Sequence, residues 1–317
     1  MKAVITGITG FAGSHLAETL LARGDQVLGL SRNAHWPDHL PATLTDAIEL
    51  VPWDIRQPPS PQLQDQLAQW QPDCCYHLAA ISIPADCGRT NPTQAAIECN
   101  INGTQHVLDL LNKLPQPARL LFTSSNHVYA TVTPENAIVA EDAAVDPESA
   151  YGKTKLAAET LVQQAVQDQQ LNAFIVRSFQ HTGPRQQPRM MVPEWARQFA
   201  QPTGTIQVRN LDTYLDLSDV RDVVEAYRCL MDTATTGSIF NIGTGMAIGS
   251  GQVCEYFQQL MTEPRTVQET SPGRRQHPIA DITKLQQTID WQPKIELAQT
   301  VQDTLNYWIQ RPDPLDS

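Results

Sequence analysis

The stretch Lys2–Gly24, KAVITGITGFAGSHLAETLLARG, decides the fold. Ala3-Val4-Ile5-Thr6 is a short apolar run of the kind shown by a strand buried on both faces. Gly7, Gly10 and Gly13 follow at three-residue spacing, and Leu16, Ala17, Leu20 and Leu21 then recur at helical intervals. Strand, glycine turn and helix in this order predict a phosphate site. The first glycine allows a tight turn, the second lets backbone approach a pyrophosphate, and the third lets helix pack close on strand. Phe11, Ala12 and Gly13 open the helix, whose free N–H groups and positive dipole end suit an anion. An ordinary glycine-rich turn is the rival reading of this segment alone, so the rest of the chain has to decide.

Downstream, Gln26–Leu30 reads as the second strand of the same unit. The residue ending that strand meets the adenosine ribose of a dinucleotide. A carboxylate there accepts from the 2′-hydroxyl of NAD, and an arginine suits the 2′-phosphate of NADP. Here the strand ends Ser31-Arg32-Asn33, so NADP(H) is expected over NAD(H). Asp54-Ile55, after a third strand at Ile48–Val51, is expected beside the adenine. The fourth strand, Cys74–Leu78, runs into Leu78-Ala79-Ala80, small enough at the strand end for backbone to approach the cofactor. His77 is expected to be a structural histidine. Ala95–Leu114 reads as one long helix, Arg119–Thr123 as a fifth strand and Ala173–Phe179 as another.

Strands and helices thus alternate through residue 179, which predicts an α/β fold with a doubly wound parallel sheet. Residues 1–179 are expected to form the dinucleotide-binding domain, with 211–240 returning to it. Residues 180–210 and 241–317, richer in Arg, Pro and aromatic residues, are expected to form a smaller α/β substrate lobe.

Composition narrows the function. A net charge of −12 argues against nucleic-acid binding, which needs a basic surface. No apolar run approaches the ~20 residues of a membrane span, and no secretory segment is visible, so a cytoplasmic protein is expected. The six cysteines form no C-x-x-C pair and no zinc-type cluster with histidine, so no metal is expected. Adjacent Cys74 and Cys75 would make a strained mutual disulfide. Gly152-Lys153-Thr154 resembles the end of a phosphate-binding loop, but Pro147 stands where that motif needs glycine.

Tyr151 and Lys155 lie four apart on a helical pattern and share a face. A neighbouring ammonium favours the phenolate, so Tyr151 is expected to exchange a proton near neutral pH. Ser125, at a parallel strand end, is placed to hydrogen-bond the same substrate oxygen.

With these residues in place, the whole chain resembles the extended short-chain dehydrogenase/reductases that act on nucleotide sugars. The matching pieces are T-G-x-x-G-F-x-G (Thr6–Gly13), Asp54-Ile55, H-L-A-A (His77–Ala80), N-x-N-G-T (Asn100–Thr104), S-S-x-x-V-Y (Ser124–Tyr129) and Y-G-x-T-K (Tyr151–Lys155). The resemblance implies an NAD(P) cofactor, a Ser125–Tyr151–Lys155 triad, a nucleotide-sugar substrate and a homodimer built through two helices per subunit. Ala157, Ala158, Leu161, Val162, Ala165 and Val166 form a small-residue stripe suited to such packing. The run Arg177–Pro184 and the segments Asn210-Leu211-Asp212 and Asp219-Val220-Arg221-Asp222 resemble the branch of GDP-mannose 4,6-dehydratases and GDP-4-dehydro-6-deoxymannose reductases. Gln180 replaces an asparagine expected near the substrate diphosphate, and Leu215 stands where arginine is usual. Arg209, Arg274 or Arg275 would then supply the positive charge. His127 occupies the position where the related dehydratases carry glutamate, which makes it a candidate substrate contact. Together these features imply NADP(H)-dependent reduction of a nucleotide-linked 4-keto-6-deoxyhexose. A 4-epimerase is the alternative, followed by a 4,6-dehydratase or a catalytically silent dinucleotide sensor.

Overall fold

Seven strands line up in one sheet in the computed structural model, which describes residues 1–168 and 171–311. They are β1 (Lys2–Thr6), β2 (Gln26–Ser31), β3 (Glu49–Pro52), β4 (Cys74–His77), β5 (Arg119–Ser125), β6 (Ala173–Ser178) and β7 (Ile239–Ile242). Their order across the sheet is β3-β2-β1-β4-β5-β6-β7, and every pairing is parallel. Strand order reverses between β1 and β4. The crevice outside the strand ends at such a switch point is where ligands bind in open parallel sheets.

Alternation along each strand splits the core in two. Ala3, Ile5, Cys74 and Tyr76 pack with helices α1 (Phe11–Ala22) and α5 (Val220–Thr233) on one face. Val4, Cys75, Leu120 and Phe122 pack on the other with α2 (Pro61–Trp70), α3 (Gly103–Asn112) and α4 (Ala150–Gln167). Adjacent Cys74 and Cys75 therefore point to opposite faces, and all six cysteines are free.

The helical pattern of residues 95–114 is not one continuous helix. A turn at Gln94–Ala96 opens into a wide π-helical stretch, Ile97–Asn102, before α3 begins. The bulge has a cause in Asn100. Its side-chain amide accepts from Ile81 N (2.8 Å) and donates to Ile81 O (3.1 Å) and to Thr154 Oγ1 of α4 (3.0 Å). Wide turns of this kind recur at functional sites.

A second core joins helices Met191–Phe199, Ser250–Gln259 and Leu297–Ile309 around Trp195, Phe199, Phe257 and Trp308. Phe199 and Phe257 stack with centroids 5.0 Å apart. The chain is shared out differently from the sequence expectation for 241–317. Asn241 and Ile242 belong to β7 of the large sheet, and helix Thr283–Ile289 packs on its α5 face. Leu285 and Trp291 explain this, since both are buried in the first core. The connection between the two cores is pinned by Asp216, fully buried, which accepts from Thr244 N, Thr244 Oγ1, Gly245 N and Ala280 N at 2.7–3.1 Å.

Candidate active site

Gly7 has φ +73°, a conformation glycine adopts without strain. A Cβ on Gly7 would lie 2.7 Å from Ala79 N, so the glycine turn and the end of β4 touch backbone to backbone. A Cβ on Gly13 would lie 2.2 Å from Gly7 O, which fixes α1 hard against the turn. Gly10 is the N-cap of α1, no side chain caps it, and its first turn holds no acid. The opening N–H groups, at Phe11, Ala12 and Gly13, are thus left for another acceptor. Around them, Leu78, Ala79 and Ala80 are half-buried at the end of β4. A Cβ-free cradle beside an uncapped helix start fits a pyrophosphate.

His77 lies beneath this crevice, its ring nitrogens 2.7 Å from Thr6 Oγ1 and 3.1 Å from Thr104 Oγ1. Burial, with a smaller contribution from the Lys155 charge, pushes its pKa down to about 3. It is a neutral histidine tying β1, β4 and α3 together.

Ser149 caps α4 by accepting from Gly152 N at 3.1 Å. Gly152 is where the helix meets the turn that follows β5, for a Cβ there would lie 2.1 Å from His127 O. This contact brings Tyr151 beside the Asn126–Val128 turn, with the His127 ring edge-on to the phenol at 5.5 Å. Ser125 Oγ accepts from His127 N at 3.3 Å. Lys155, buried one turn on, donates from Nζ to Thr123 O at 2.8 Å and lies 6.0 Å from the Tyr151 ring centroid. Burial lowers the Lys155 pKa to about 8. For Tyr151 the outcome differs from the sequence expectation. Burial pushes the phenol well above its ordinary range, and the hydrogen bond with Ser125 only partly offsets this. Lys155 gives its hydrogen bond to the Thr123 carbonyl, and burial keeps the Tyr151 phenol protonated.

Asn126 Nδ2 donates to Gln180 Oε1 at 3.4 Å, which brings Gln180 against the residue beside Ser125. Burial lowers the His127 pKa to about 4, with a further push from His277. His277 thus approaches the same pocket from the second lobe, on a segment held by His277 N donating to Tyr214 O at 2.9 Å. Sequence reading missed it, because a lone histidine between Gln276 and Pro278 carries no motif. Arg274 lies over the Tyr214 ring at 4.9 Å, and Arg275 Nη2 donates to Ser271 Oγ at 3.3 Å. Arg209 is exposed on the strand side of the same lobe, its carbonyl accepting from Ser271 N. Arg274 therefore lies on Tyr214, while Arg275 and the Arg209 backbone both meet Ser271.

At the other end of the crevice, Arg32 is exposed and makes no hydrogen bond or ion pair among the described residues. Asp54 pairs with Arg56 through Nε at 2.9–3.0 Å, which holds its carboxyl below the usual range. The side chain of Ile55 is buried against Gly103, where a Cβ would come within 2.8 Å of it. Among the described residues, no group of three or more His, Cys, Asp or Glu is placed to hold a metal ion.

A profile of the NAD dependent epimerase/dehydratase family matches residues 3–243. The chain belongs to that family. It is an enzyme of the extended short-chain dehydrogenase/reductase type, and family relatives match it nearly end to end. GDP-6-deoxy-D-mannose reductase of Pseudomonas aeruginosa is 27% identical over 97% of this chain and 97% of its own. UDP-glucose 4-epimerase of Mycolicibacterium smegmatis is also 27% identical, over 97% of this chain and 98% of its own. Among solved structures, MoeE5 in complex with UDP-glucuronic acid and NAD is 28% identical, covers 98% of this chain and 99% of its own, and gives a TM-score of 0.80. Equal identity to a reductase and an epimerase leaves the discrimination to this chain's own side chains.

Proposed function

We propose that this enzyme reduces the 4-keto group of a nucleotide-linked 4-keto-6-deoxyhexose with NADPH, a GDP-linked sugar fitting best. The observation that carries the reading is the end of β2, where Arg32 is exposed and unpaired among the described residues and no carboxylate stands at 31–33. That arrangement suits a 2′-phosphate. A net reduction consumes reduced cofactor, whereas an epimerase returns its hydride to the sugar it came from.

When bound, NADPH supplies the hydride. The glycine cradle and the uncapped start of α1 would hold the pyrophosphate, and the small residues Ala79 and Ala80 after Leu78 would leave room for the cofactor at the sheet. Asp54 and the Ile55 backbone border the adenine. Lys155, anchored to Thr123 O, would hold the nicotinamide ribose. Tyr151, kept neutral by burial, gives its proton to O4, and Ser125 orients that oxygen. Gln180 and His127 line the sugar side, and Arg209, Arg274 and Arg275 supply positive charge toward the diphosphate.

The second reading is a nucleotide-sugar 4-epimerase, favoured by the relative of that activity at the same identity. Dehydration is disfavoured because His127 replaces the carboxylate that would take the C5 proton. The intact Ser125–Tyr151–Lys155 set argues against a silent sensor. A cytoplasmic homodimer completes the reading. Ala158, Val162 and Ala165 of the expected dimer stripe face the chain's own sheet, and Leu161 and Val166 pack partly against the same core, which leaves half-buried Ala157 and the exposed edges of Leu161 and Val166 for a partner. Incubation with candidate keto-sugars under continuous NADPH absorbance separates the readings. Steady consumption means a reductase, sugar interconversion without net consumption an epimerase, and binding with neither a sensor.

A further inference from the structure

Among the described residues, the ion pair with both side chains most deeply buried joins Arg177 of β6 to Glu159 of α4, 5% and 2% exposed. Two parallel hydrogen bonds make it, Nε to Oε1 at 3.0 Å and Nη2 to Oε2 at 2.8 Å. Burying such a pair costs desolvation on both sides, and hydrocarbon of the same volume is often at least as stable. Stability alone therefore does not account for it. Tyr151, Lys155 and Glu159 fall at i, i+4 and i+8, one face of one helix. The guanidinium is itself fixed from several sides. Its Nη1 donates to Glu141 O at 2.9 Å, and its plane covers the Tyr129 ring at 4.9 Å. Tyr129 in turn donates to Asn241 Oδ1 at 2.6 Å, and Glu141 Oε1 accepts from Asn241 N at 2.8 Å.

We propose that the Glu159–Arg177 pair is a positioning element for the chemistry: it sets the rotation of α4 that presents Tyr151 and Lys155, and Glu159 supplies the anion that faces the Lys155 ammonium. The proposal rests on the reading of Lys155 and Tyr151 as the working residues. A rotation of α4 must break a two-point bond to a guanidinium that cannot follow it. The titratable groups facing Lys155 are Tyr151 and Glu159 from α4, Cys87 from the loop after β4, Cys99 from the π-helical stretch, and His77 from β4. Burial keeps both thiols and the phenol protonated and His77 neutral. Glu159 is then the anion left among them.

The test is an NMR titration of Lys155 in intact protein carrying labelled lysine, with Glu159→Gln, Glu159→Asp and the double variant Glu159→Leu/Arg177→Met. No substrate is needed, so failure to reduce any keto-sugar would sink the proposed reaction and leave this result standing. The Lys155 midpoint should fall by ~1 pH unit in Glu159→Gln, as for loss of a nearby opposite charge, and return most of the way in Glu159→Asp. Should Glu159→Gln fail to fold, the double variant removes anion and cation together, so its Lys155 midpoint should move less, and weakened NADPH affinity is its readout of the lost helix positioning. NADPH affinity measured on the same proteins should weaken together with the midpoint. A native midpoint in a folded Glu159→Gln, or native NADPH affinity in the double variant, overturns the proposal and makes the pair merely structural.

Discussion

Acidification from pH 7 to pH 5 should remove most of the stability of this protein, through buried histidines. Burial lowers the pKa of His15 and His77 to about 3 and that of His127 to about 4, against an ordinary value of 6.5. The unfolded chain therefore takes up protons below pH 6.5 that the folded chain refuses until pH 3–4. Stability from these groups is fully present above pH 6.5 and is lost as the pH falls through that window. Each contributes a slope of ~1.4 kcal/mol per pH unit, so each costs about 2 kcal/mol at pH 5 and the three together about 6 kcal/mol. Total stability of a folded domain is commonly ~5–15 kcal/mol, so the loss is decisive. The buried Asp216 carboxyl, pushed up by desolvation, works in the opposite sense as the pH falls. Urea unfolding followed by tryptophan fluorescence at pH 7, 6, 5.5 and 5 measures the slope. His127→Phe removes one titrating ring whose imidazole makes no hydrogen bond among the described residues, and should recover about 2 kcal/mol of the loss at pH 5. A fall of less than ~2 kcal/mol between pH 7 and pH 5 would refute the reasoning, because a single neutral histidine already accounts for that much.

Gly152→Ala places a Cβ 2.1 Å from His127 O, so α4 must move out by roughly 1 Å. Turnover should fall ~10²-fold, with a melting shift of only a few degrees, and native kinetics in the variant would contradict the close contact. Tyr151→Phe keeps the ring and removes the proton, so turnover should drop by ~10²–10⁴-fold while fluorescence titration shows NADPH binding retained. Arg32→Ala should narrow the preference for NADPH over NADH by ~1–2 kcal/mol in the same titration, and equal cofactor affinities in the unmodified protein would remove the basis for NADP(H).

The sheet was legible because its signals are local. The run Ala3–Thr6, the three glycines and the Leu16–Leu21 periodicity specify strand, turn and helix within one stretch, and the same rhythm repeats through β6. The tyrosine and lysine could be read from helical spacing, and Ser125 from its strand end. What escaped depends on contacts distant in sequence. Nothing around Asn100 announces a π-helical stretch, because the cause lies in Ile81 and Thr154. The neighbouring Lys155 points to a lowered Tyr151 phenol whereas burial raises it, since spacing conveys proximity but not desolvation. His277 comes near enough to His127 to be felt electrostatically because its segment is tied to Tyr214 O. Leu285 and Trp291 sit in the first core although the chain around them reads as part of the second lobe, since an apolar residue does not say which core will claim it.

The central claim is net reduction at C4 with Tyr151 as the acid. Its most direct test supplies purified enzyme with NADPH and GDP-4-keto-6-deoxymannose, following absorbance and sugar products together. One NADPH should be consumed per keto-sugar reduced, with the activity lost in Tyr151→Phe. Interconversion of nucleotide sugars with no net loss of NADPH would contradict it and establish an epimerase on the same site.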